Sequence, residues 1–148
     1  MLAAFTPARA CYDFRMMDDD ALAGLVEREL PGVVVAYLFG STAEGTAHAE
    51  SDVDIAVLCG GPVPAELFWA AKERLEESLR RSVDLIDLHR APTVLRMQVV
   101  TKGRVILVRD QAVRTRFEDL VFASYARLNE ERKEIVAQVL RDGSIHGR

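Results

Sequence analysis

Apolar positions along the chain alternate between two spacings. From Asp18 the run DDDALAGLVEREL sets Leu22, Leu25, Val26 and Leu30 three to four positions apart behind acidic residues, and Pro31-Gly32 stops it. That pattern predicts an amphipathic helix. Val33–Phe39 (VVVAYLF) is a continuous apolar, largely β-branched run and predicts a buried strand, ended by the small-residue loop GSTAEGTAHAES. A second strand is expected at Asp52–Leu58. Gly60-Gly61-Pro62 then marks a turn, and Glu66–Arg81 is expected to be a helix with Leu67, Ala70, Ala71, Leu75 and Leu79 on one side.

Val83–Leu88 (VDLIDL) predicts a third strand, Thr93–Lys102 a short helix ended by Gly103, and Val105–Val108 a fourth short strand. From Gln111 to Leu140 a helical pattern carries Val113, Phe117, Leu120, Val121, Leu128, Ile135, Val136 and Val139 mostly on one stripe. At about 1.5 Å per residue it would run roughly 45 Å, more than so small a core needs, so its far end is expected to face a partner. The expected architecture is α/β: a small mixed sheet of about four strands with the site on one edge and helices on one face. The chain divides into an N-terminal extension (1–17), a core (18–110) and a C-terminal helix and tail (111–148).

Composition narrows the function. With 148 residues, 49% hydrophobic and 28% charged, the chain has the balance of one domain able to bury a core. Its net charge of −4 argues against a surface made for non-specific nucleic-acid binding, so no direct nucleic-acid contact is expected. Cys11 and Cys59 have no neighbouring Cys or His at ligand spacing and read as reduced thiols of a cytoplasmic protein. No signal-peptide core and no long apolar span is visible, so neither export nor a membrane is expected.

The informative stretch is LFGSTAEGTAHAESDVDIAVL, in which Gly40-Ser41 is followed after ten residues by Asp52-Val53-Asp54. Carboxylates two apart on a strand point to one face and repel each other unless a cation lies between them. The donors are hard oxygens without interleaved His or Cys, so Mg²⁺ or Mn²⁺ suits them better than Zn²⁺. Gly40-Ser41 ends the preceding strand, where a turn into a short helix would aim backbone N–H groups and the Ser41 hydroxyl at an anion. Gly40 lacks a Cβ and lets a phosphate approach the main chain. A phosphate cradle beside a metal cage is what nucleotidyl transfer requires. Two-metal sites need a third carboxylate, which VDLIDL offers as Asp84 or Asp87. These face opposite sides of the strand; Asp84 is preferred and Asp87 stays open.

Gly-Ser, ten residues, Asp-x-Asp, with apolar strands on both sides (YLFGS and IAVL), resembles the signature of the polymerase β-type nucleotidyltransferases. Within that superfamily the chain is similar to the minimal nucleotidyltransferases. Its later part, KGRVILVRD at Lys102–Asp110 and RTRFEDLVFASYARL at Arg114–Leu128, resembles MntA-type antitoxins that pair with HEPN-domain ribonuclease toxins. The resemblance implies a polymerase β-like fold and an adenylyltransferase that moves AMP from ATP to a tyrosine of its HEPN partner. It implies that Gly40 and Ser41 hold the triphosphate, that Asp52 and Asp54 hold two Mg²⁺ ions, and that Asp84 supports the attacking oxygen. In this comparison Glu44 stands where many relatives carry a basic residue.

Tyr37, in an apolar strand, is expected to be a core residue rather than an AMP acceptor. Glu130-Glu131-Arg132-Lys133-Glu134 reads as a solvated helix face, and His48 as a loop residue; His89 and His146 carry no signal. Two rival functions remain: a non-catalytic antitoxin that acts by binding and occlusion, and a nucleotidyltransferase acting on a small molecule.

Overall fold

The computed structural model describes residues 17–43 and 51–143. The elements run α1 (Asp19–Glu29), β1 (Val33–Phe39), α2 (Gly40–Ala43), β2 (Val53–Cys59), α3 (Ala65–Leu79), β3 (Val83–Asp87), α4 (Thr93–Lys102), β4 (Arg104–Val108) and α5 (Gln111–Asp142). Every helix and strand expected from periodicity in these residues is present, with ends displaced by no more than a residue or two. Capping sets two of the helix starts. Asp18 accepts a hydrogen bond from the Ala21 N–H at 2.7 Å, and Asp110 accepts from the N–H groups of Ala112 and Val113 at 2.9 and 3.2 Å.

The four strands lie in the order β3-β2-β1-β4. β1 is antiparallel to both β2 and β4, whereas β2 and β3 are parallel and joined through α3. β1 and β2 occupy the middle and are buried on both sides, which explains why their sequences are almost unbroken apolar runs. On one face, Leu22, Leu25 and Val26 of α1 and Ala71, Leu75 and Leu79 of α3 pack against Ala36, Leu38, Ile55 and Val57. On the other, Val99 of α4 and Phe117 and Val121 of α5 pack against Val35, Tyr37, Ala56 and Leu58.

The mixed sheet and the long C-terminal helix agree with the sequence reading. The placement of helices on one face is corrected: α1 and α3 cover one face, and α4 with the first part of α5 covers the other. The signal was present in the two central strands, whose residues are apolar at odd and even positions alike, a pattern that requires cover on both sides.

Two charged networks hold helices in place. Glu29, buried at the end of α1, receives Arg74 Nε from α3 at 2.6 Å and Arg28 Nη2 at 3.0 Å. Burial acts against its charge, but the two guanidiniums outweigh it and hold the Glu29 carboxyl below its ordinary pKa. Across the sheet, the buried Tyr37 hydroxyl donates to Glu118 Oε1 at 2.9 Å, and Arg114 Nε donates to the same oxygen at 2.8 Å. This fastens α5 to β1 and makes Tyr37 a core residue.

After Val121 no described residue of α5 is buried. Its 32 residues span about 48 Å at 1.5 Å per residue. Ile135, Val136 and Leu140 are exposed near its end, and Glu130–Glu134 is a solvated face on which Lys133 pairs with Glu130. Cys59 is a buried free thiol, and burial, assisted by the charge of Asp87, pushes its pKa up to about 11. No described helix is long and apolar enough to cross a membrane.

Candidate active site

Strand directions bring the signature residues together. β1 runs toward Gly40-Ser41 and β2 runs away from Asp52, so their antiparallel pairing sets Phe39 opposite Asp54. β3 lies parallel to β2 with Asp84 in register with Asp54. The end of β1 and the starts of β2 and β3 therefore share one end of the sheet, with Asp54 and Asp84 on adjacent strands and on the same face.

Gly40 is the hinge of this arrangement. Its φ of 70° lies in the left-handed region, which turns the chain from β1 into the short helix α2. The Asp54 carboxylate lies against its α-carbon, so closely that a Cβ at position 40 would overlap Oδ2 of Asp54. Glycine is thus required twice, by the turn and by the carboxylate. Ser41, half-buried, follows in the first turn of α2.

The electrostatics of Asp54 distinguish it from an ordinary strand residue. Burial raises its carboxyl above the usual range, and the charges of Asp84 and then Asp52 raise it further. Asp52 and Asp84 are exposed. Three carboxylates whose charges oppose one another, all hard oxygen donors, form the donor set that a divalent cation such as Mg²⁺ takes. Among the described residues, no three His, Cys, Asp or Glu side chains are drawn up around one point at ligand distance. The fit to a cation rests on donor chemistry and mutual repulsion, not on a preformed cage.

Asp87 is placed elsewhere. It lies at the far end of β3, where its carboxylate accepts the His89 N–H at 2.9 Å and stands 3.8 Å from Arg90. The structure brings Asp84, and not Asp87, to Asp54. One contributor was missed in the sequence: Arg81, whose guanidinium donates to the Ser51 carbonyl just before Asp52. Together with the Val53 N–H donated to the Ser82 carbonyl at 2.9 Å, it ties the starts of β2 and β3 to each other. The basic pair Arg80-Arg81 ahead of VDLIDL was the available signal. Glu44 and His48 lie outside the described residues, as do Cys11 and His146.

The profile of the family described as polymerase beta, nucleotidyltransferase, matches residues 23–112, and these contain the whole constellation. The chain belongs to the polymerase β nucleotidyltransferase family. This nucleotidyltransferase is 34% identical over 131 residues to the protein adenylyltransferase MntA of Shewanella oneidensis, covering 85% of the chain and 90% of that relative. It is also similar to solved structures. One is a toxin–antitoxin crystal structure with AMP-PNP, with a TM-score of 0.73, 34% identity, and coverage of 84% of this chain and 99% of that one. Another is the tri-AMPylated Shewanella oneidensis HEPN toxin in complex with its MNT antitoxin, with a TM-score of 0.66, 31% identity, and coverage of 82% and 95%.

Proposed function

We propose that this nucleotidyltransferase is an antitoxin that transfers AMP from ATP to a tyrosine of a HEPN-domain ribonuclease toxin and thereby silences it. The observation that carries the reading is the register of Asp54 with Asp84 beside Gly40-Ser41. It is supported by the 34% identity to a protein adenylyltransferase over most of both chains. We take the reaction to run in the cytoplasm, where its ATP would be supplied.

In this reading Gly40 and Ser41 hold the triphosphate. The left-handed turn at Gly40 leads the chain into α2, whose first backbone N–H groups, with the Ser41 hydroxyl, would bind phosphate oxygens. Asp52, Asp54 and Asp84 would hold Mg²⁺, two ions by family analogy. Held there, Mg²⁺ would supply positive charge to neutralise the phosphates and the charge that grows at the α-phosphorus. Asp84 would stand beside the acceptor oxygen, orient the tyrosine hydroxyl and take its proton. Attack at the α-phosphorus forms the tyrosyl–AMP bond and breaks the bond to the β-phosphate oxygen, releasing pyrophosphate.

Occlusion without turnover is the competing account, and the opposed carboxylates speak against it. A pure binder gains nothing from holding Asp54 against Asp84 and Asp52 at an electrostatic cost. Growth of cells co-expressing the HEPN toxin separates the two. Asp52→Ala/Asp54→Ala is expected to abolish rescue while the complex still forms, whereas occlusion requires rescue to persist. A small-molecule acceptor would be modified with no toxin present.

A further inference from the structure

At the end of the sheet opposite the carboxylates, a cleft of about 440 Å³ opens between the carboxyl ends of the parallel strands β2 and β3 and the helices α4 and α5. Crevices outside the carboxyl ends of parallel strands are common binding places in α/β sheets, and this volume lies within the usual range for bound ligands. Its floor is apolar: Leu58 and Leu88 from the strand ends, Phe117 and the 58% exposed Leu120 from α5. Its polar rim is basic, with Arg96 from α4 and Arg116 from α5.

Among the described residues, no carboxylate lines this cleft. The nearby Asp87 is engaged by the His89 N–H and by Arg90. His89 also lines the cleft, its Nε2 held at 2.8 Å from the Cys59 carbonyl, and Arg96 Nη2 donates to the His89 carbonyl at 2.6 Å. Arg96 Nε is buried with no hydrogen-bond acceptor. An apolar floor and two guanidiniums at its rim select one chemistry: a carboxylate beside an aliphatic or aromatic group.

We propose that this cleft docks an acidic, apolar-anchored segment of the protein substrate. This rests on the reading above that the acceptor belongs to a protein. Leu58 lies four positions along β2 from Asp54, so the cleft is roughly 13 Å from the reacting end. Binding energy gathered this far from the reacting group holds the ground state and the transition state alike, so it lowers the KM for the protein substrate and leaves kcat unchanged. A guanidinium rim makes the grip sensitive to salt.

The test uses Arg116→Glu and Leu120→Lys, two exposed positions on α5, with a co-purified HEPN-domain toxin as the probe. Toxin binding is measured by calorimetry and AMP transfer by steady-state kinetics. A rise of tenfold or more in both Kd and KM for the toxin, with the KM for ATP and kcat at saturating toxin within twofold of wild type, is the expected result. Unchanged toxin affinity in variants that keep the wild-type Tm overturns the proposal. So does the finding that inorganic phosphate or a short fatty acid raises the Tm of the wild type, but not of Arg116→Glu, while toxin affinity is unaffected: the cleft then serves a small ligand. Should the wild type bind toxin but transfer no AMP, the functional reading has failed, and the calorimetric comparison still decides the cleft by the same criterion.

Discussion

The α-carbon of Gly40 lies against the carboxylate of Asp54, so the turn that ends β1 and the acid that starts β2 share one volume. Any side chain at position 40 would have to displace the carboxylate or unwind the turn. Gly40→Ala is therefore expected to lose about 1–3 kcal/mol of stability, from the left-handed φ and from local overpacking. Moving a reacting-site group by about 1 Å costs on the order of 100-fold in rate, and the variant should lose at least that much transfer activity. Chemical denaturation and a transfer assay check the two halves. Wild-type stability in Gly40→Ala would mean that the carboxylate does not press on the main chain.

The two acids of β3 should separate cleanly. Asp84→Asn removes the carboxylate in register with Asp54, and transfer should fall about 100-fold or more, in line with loss of a group that handles a proton at the reacting centre. Asp87→Asn should keep activity within a few-fold but lower stability by about 1 kcal/mol, because it weakens the Asp87–Arg90 pair and the acceptor of the His89 N–H. The reverse outcome would make Asp87 the third carboxylate.

Asp54 gives the protein without added cation a pH signature. Its folded-state pKa is raised, by burial first and by Asp84 and Asp52 next, so folding favours the protonated acid. That contribution is full below the unfolded pKa, about 4, and is lost as pH rises through the higher folded value. Asp54→Asn, which cannot ionise, should therefore melt higher than wild type at neutral pH in EDTA, and the gap should close as pH falls toward 4. Mg²⁺ should raise the wild-type Tm, by about 2.7 kcal/mol of stabilisation at a hundredfold excess over Kd, and should do so much less in Asp54→Asn. Equal Tm values across this pH range would mean that Asp54 is not under that repulsion.

What the sequence displayed follows from range. Helices and strands were legible because each is written locally, in the 3–4 spacing of Leu22, Leu25 and Val26 or the unbroken run Val33–Phe39. Gly40, Ser41, Asp52 and Asp54 were legible because they flank one connection between adjacent strands. Asp84 was harder, since its match to Asp54 is set by a parallel pairing across α3, which no local pattern encodes. Helix cover on both faces, the Arg81 tie to Ser51 and the basic cleft around Arg96 and Arg116 all join segments distant in sequence, and only the folded chain reveals them.

In the proposed reaction the carboxylates of Asp52, Asp54 and Asp84 act on a protein hydroxyl. Intact-mass spectrometry of the HEPN toxin, incubated with this chain, ATP and Mg²⁺ and compared with the Asp52→Ala/Asp54→Ala control, tests it most directly. The expected result is a mass gain of one or more AMP units on the toxin with the intact site only. An unmodified toxin that remains tightly bound and silenced would contradict it and leave occlusion as the function.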